Sequence, residues 1–86
     1  MNYQQMIEQA TRIKTIYEKK LLKLANVVGI GVGFKEKEGQ LTDQIAIIVN
    51  VTEKKPLTEL SAQDVIPPEL DGVITDVQEV GQIKAL

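Results

Sequence analysis

Residues 27–37 read VVGIGVGFKEK, with Gly29, Gly31 and Gly33 two apart among large apolar side chains. A dinucleotide-binding turn needs Gly-x-Gly-x-x-Gly opening a helix, so that the helix amides meet a pyrophosphate. Here the repeat is Gly-x-Gly-x-Gly, Phe34 stands where the last glycine is needed, and charged residues follow in place of a helix. A Walker loop would carry Gly-Lys-Ser/Thr, which the chain lacks. Strict alternation is the period of a strand. It sets Val28, Ile30, Val32 and Phe34 on one face and Val27, Gly29, Gly31 and Gly33 on the other. Each strand glycine costs roughly 0.5–1 kcal/mol relative to alanine. Two uses would repay three of them: close approach of another backbone or domain, or relief of crowding where a sheet bends.

On the C-terminal side, KEKEGQLTD (35–43) is charged and holds Gly39, which predicts a hairpin loop. A second strand follows from Asp43 to Val51. Ile45, Ile47, Val49 and Val51 share one of its faces, and Gln44, Ala46, Ile48 and Asn50 share the other. Gly29, Gly31, Gly33, Ala46, Ile48 and Asn50 therefore form a flat, small, partly apolar patch, the candidate interaction surface.

On the N-terminal side, apolar residues from Tyr3 to Leu24 recur in steps of three and four, without glycine or proline, which predicts an amphipathic helix ending at Asn26. At about 1.5 Å per residue it exceeds 30 Å, so its first turns are expected to overhang a short sheet. Beyond the hairpin, Pro56 opens LTELSAQDVI, where Ser61 and Asp64 fit a weak capping box and a helical turn near 58–65. Pro67–Pro68 stops that turn, Asp71–Gly72 is a turn dipeptide, and Gly72–Val80 reads as a third strand with Val73, Thr75 and Val77 inward.

These elements predict a single domain over 1–86, with a helix in 1–26 and a three-stranded sheet in 27–86. The fold class is α+β, a two-layer αββ(α)β sandwich with the long helix on an antiparallel sheet of order 2-1-3. In that order, strands two and three are the edges open to a partner strand.

Composition narrows the chemistry. The chain has no histidine and no cysteine, and Ser61 is its one serine. A Ser-His-Asp system lacks its base, a thiol nucleophile is absent, and zinc lacks its usual ligands. No enzymatic activity and no cofactor are expected. Glu69, Asp71, Asp76 and Glu79 are the sole oxygen cluster to weigh for calcium, and their spacing matches no calcium loop. Residues 1–25 carry five basic side chains against two acidic, and the remainder five against ten. A basic helix carrying Lys19, Lys20 and Lys23 raises nucleic acid or an anionic lipid surface as a partner. The acidic total and the scarcity of aromatics argue against nucleic acid. No segment has the makings of a signal peptide or membrane span, so the cytoplasm is the default expectation.

The strings NVVGIGVGFK (26–35), TDQIAIIVNV (42–51), EKKPLTEL (53–60), DVIPPELDGV (64–73) and TDVQEVGQIKAL (75–86) resemble, in this order, the N-terminal domain of a bacterial family of trypsin-like serine peptidases. The resemblance covers about residues 20–86, and the helix before it matches in character alone. The element order also looks like the C-terminal subdomain of pro-regions that assist folding of secreted bacterial proteases. None of the family's catalytic residues falls within the matching stretch. What the resemblance implies is an ancillary, pro-like role: docking on, chaperoning or restraining a protease domain, in cis or in trans. A homo-oligomerisation module is the alternative reading.

Overall fold

The computed structural model describes residues 2–81. Helix α1 spans Tyr3–Leu22. Its start is fixed by a reciprocal cap: the Gln5 amide donates to the Asn2 side chain at 2.9 Å, and the Asn2 amide donates to the Gln5 side chain at 3.1 Å. Lys19 and Lys20 occupy the last turn, where positive charge suits the carbonyl end of the dipole. Asn26 then turns the chain with φ 75, a left-handed conformation that asparagine tolerates better than most residues. Its side-chain amide donates to the Glu53 carbonyl.

Strands β1 (Val27–Lys37) and β2 (Gln40–Val51) form a long hairpin. Its turn is two residues, Glu38 (φ 53) and Gly39 (φ 79), the doubly left-handed geometry that matches strand twist. The strands thus run further than the charged sequence suggests, and the expected nine-residue loop is mostly ladder. At about 3.3 Å per residue β1 is as long as α1, so the helix does not overhang. Tyr3, in its first turn, packs edge-on against Phe34 with ring centroids 5.9 Å apart.

The sheet is four-stranded and mixed, in the order β1-β2-β4-β3, with β3 at Glu69–Leu70 and β4 at Val73–Glu79. This corrects the expected 2-1-3 antiparallel order: β2 is central, β4 runs parallel to it, and the edges are β1 and the two-residue β3. The physical reason lies in β2 itself. Ala46, Ile47, Ile48 and Val49 are consecutive and buried, so both faces of this strand need cover, which a central strand obtains. The connection through residues 52–72 is long enough for a parallel crossover. It holds two 3₁₀ turns, Leu57–Glu59 and Ala62–Asp64, in place of one helical turn. Asp71 (φ 48) and Gly72 (φ 89) make the second doubly left-handed turn, and this gives β3 its pairing with β4.

The core lies between α1 and the sheet. Ala10 and Leu21 of the helix meet Ile47, Val49, Val51, Leu70 and Val73, with Ile30, Val32, Ile45 and Val77 packed around them. Thr75 faces the crossover and donates to the Pro67 carbonyl at 2.5 Å. Val27, expected on the glycine face, departs from it. Val27 pairs with Val51 and Gly29 with Asn50, so Val28 is the extra residue of a bulge. Val27 packs on the core, and Val28 is 43% exposed.

Candidate interaction face

All six residues of the predicted patch come together on the side of the sheet away from α1. The ladder pairs Gly29 with Asn50, Gly31 with Ile48 and Gly33 with Ala46. Sequence reasoning missed a third row. Because β4 adjoins β2, Asp76 stands beside Ile48 and Gln78 beside Asn50, and Ile74 continues the row. The expected order 2-1-3, with the glycine strand central, puts these residues on the far side of the glycines.

The face is not wholly bare. Ladder pairing shifts between Phe34/Ile45 and Glu36/Leu41, and there the hairpin bends. Past the bend, the Glu36 amide reaches across to Asp76 and donates to its Oδ2 at 2.9 Å, although β1 and β4 are not neighbours in the sheet. Gln78 Nε2 donates to the same oxygen at 2.9 Å. The tip of the hairpin thus overhangs one end of the face, and Ala46 and Ile48 beneath are buried without a helix above them. Glu36, Glu38, Gly39, Asp76 and Glu79 line a cleft of about 380 Å³ with Lys54 as its single cation among the described residues. This rim is acidic.

The carboxylates weighed for calcium are apart and differently engaged. Asp71 accepts from the Tyr17 hydroxyl at 3.0 Å, Asp76 from Glu36 and Gln78, and Glu79 from the Lys54 amide at 2.9 Å. Among the described residues no group of three carboxylates converges on a metal-sized space. Ser61 does not cap the turn it precedes: its hydroxyl donates to Asp64 Oδ2 at 2.7 Å, while Asp64 Oδ1 accepts from the Ala25 amide at 3.1 Å.

Gly29, Gly31 and Gly33 all have ordinary negative-φ backbones. A methyl group at Gly31 would meet nothing within 4 Å among the described residues. One at Gly33 would stand 3.6 Å from Ile48, and one at Gly29 would stand 3.5 Å from Asn50, both ordinary contacts. Neither backbone conformation nor crowding among the described residues demands glycine here.

The chain belongs to the family of the NARROW LEAF 1 N-terminal domain, whose model matches residues 5–80. No curated protein matches it. The match starts in the first turn of α1 and runs through the glycine strand and all of β4. No helix among the described residues is long and apolar enough to cross a membrane.

Proposed function

We propose that this domain is a non-catalytic protein-interaction module, ancillary to a trypsin-like serine protease domain on which it docks, in cis or in trans. The single observation that carries the reading is the row Gly29, Gly31 and Gly33, held at a cost to strand stability that no contact among the described residues repays. A flat surface without side chains lets another backbone come close, and the half-buried Asn50 supplies a hydrogen-bonding amide beside Gly29, while Ala46 and Ile48 form its buried floor. Family membership supports the protease as partner, since NARROW LEAF 1 is a plant trypsin-like serine protease. The absence of histidine and cysteine from the sequence supports a binding role in place of chemistry. The acidic rim of Glu36, Glu38, Asp76 and Glu79 favours a partner surface bearing lysine or arginine.

The test is calorimetric titration of this chain into the separately produced protease domain of its own parent protein. A saturable complex that weakens with salt and is lost on Asn50→Lys supports the reading. Failure to form a complex, with no change in the refolding yield or activity of the protease domain, overturns it.

A further inference from the structure

We infer that a second copy of this chain pairs with the free edge of β1 in an antiparallel two-fold arrangement centred on Gly31. The inference concerns the edge of the sheet, a surface distinct from the glycine face, and does not rest on the protease reading.

An 11-residue edge strand is long for an unprotected one. Its ends are blunted in familiar ways, by the Val28 bulge at one end and by the bend with Lys35, Glu36 and Lys37 at the other. Between them, Val28–Phe34 is uncharged, lacks proline and leaves one side of its backbone unpaired among the described residues.

Two-fold pairing of one edge with itself is antiparallel, keeps both helices on the same side, and sets like faces opposite each other. Centred on Gly31, it opposes Gly29 to the partner's Gly33, Ile30 to the partner's Val32 and Val28 to the partner's Phe34. Val28 and Phe34 are the large apolar side chains of β1 that remain exposed, at 43% and 40%. No like charges face each other. Moving the centre to Val32 would set Lys35 against Gly29 and Lys37 against Val27, and would forfeit that match.

The helix supplies an independent observation. Met6 and Gln9 border Gly72 and Val73 on the β3–β4 side, and Tyr3 touches Phe34 on the β1 side. By helical geometry, Tyr3, Ile7, Thr11, Lys14, Glu18 and Leu22 follow one flank. That flank faces the β1 edge, and Tyr3, Ile7 and Leu22 are 49%, 42% and 45% exposed on it. Strands pair about 4.8 Å apart, and α1 lies over the β1–β2 pair. A dimer through β1 therefore brings the two helices to roughly the 8–10 Å of packed neighbours. One operation pairs the edge, buries Val28 on Phe34 and covers the helix flank.

The natural chain has no cysteine, so Gly31→Cys introduces a unique thiol at a position with room for it. At the two-fold axis the paired Cα atoms fall within disulfide reach, about 4.4–6.8 Å. The 86-residue chain is expected to sediment as a concentration-dependent dimer. Gly31→Cys should oxidise to a covalent dimer at least tenfold faster than Leu41→Cys, an exposed control on the hairpin tip. Ile7→Asp should return the chain to monomer with an unchanged circular dichroism spectrum. A monomer at all concentrations, a dimer that Ile7→Asp leaves intact, or equal oxidation rates for the two cysteine variants overturns the inference.

Discussion

The backbone amide of Ala25 donates to Oδ1 of Asp64 at 3.1 Å, which ties the end of α1 to the crossover 39 residues further on. This contact and the Ser61 hydroxyl hold the Asp64 carboxyl below the usual carboxylate range, with the Ala25 amide the larger cause.

A carboxylate whose folded pKa is depressed stabilises the fold above its unfolded value, about 3.9, and that support is lost as pH falls through the folded value. Urea midpoints measured from pH 2 to 6 should therefore separate the natural chain from Asp64→Asn above about pH 4, with the curves converging below it. Parallel curves across the range would show that the tie contributes nothing.

Tyr17 and Asp71 form the corresponding contact between mid-helix and the β3–β4 turn. The hydrogen bond to Asp71 raises the phenol above its ordinary value, with desolvation and the Asp71 charge adding to it. A raised pKa stabilises the fold below the unfolded value near 10, and the support fades as pH climbs through the folded one. Absorbance titration of phenolate should show one of the two tyrosines ionising late, and Asp71→Asn should bring it back towards the other.

Ile47 and Val49 are fully buried on the central strand beneath α1. Ile47→Ala should cost about 2–5 kcal/mol and Ile47→Val about 0.5–1.5 kcal/mol, read from denaturant midpoints at constant slope. For a chain of 86 residues the former approaches the whole stability. A change under 1 kcal/mol for Ile47→Ala would mean that the helix does not close over this residue.

Two glycines make opposite predictions. Gly31→Ala meets open space with an ordinary backbone, and should stabilise the isolated chain by about 0.5–1 kcal/mol. Gly72→Ala places a side chain at φ 89 and should destabilise by about 1 kcal/mol or more, with loss of the β3–β4 turn. Thermal unfolding of both variants checks the pair. A destabilised Gly31→Ala would return the glycine row to an internal packing role.

Much of this was legible from residue patterns. The α+β class, the N-terminal helix (read to Asn26, observed to Leu22), the two faces of the hairpin and the six-residue patch follow from periods of 3.6 and 2, which local side-chain burial enforces. Strand order was not. Periodicity fixes which way a side chain points along its own strand and says nothing about which strand lies beside it. The unbroken Ile45–Val49 run was the available sign that β2 is central, since an edge strand has no need to be apolar on both faces. The bulge at Val28 shifted one residue out of phase for the same kind of reason, because alternation cannot announce its own interruption. The bend that carries Glu36 over to Asp76 is a tertiary event between β1 and β4, written nowhere in either strand alone.

The parallel pairing of β2 with β4 also sets an order of events in time. The β1–β2 hairpin closes through a two-residue turn, whereas β4 reaches its place after the chain has looped through residues 52–72. Local closure is fast and the longer loop costs more entropy, so helix and hairpin are expected to form first and β4 to dock late. Val77→Ala should accordingly speed unfolding while leaving the refolding rate nearly unchanged. A chain emerging from the ribosome would hold its glycines ready well before the Ile74, Asp76 and Gln78 row that completes their surroundings.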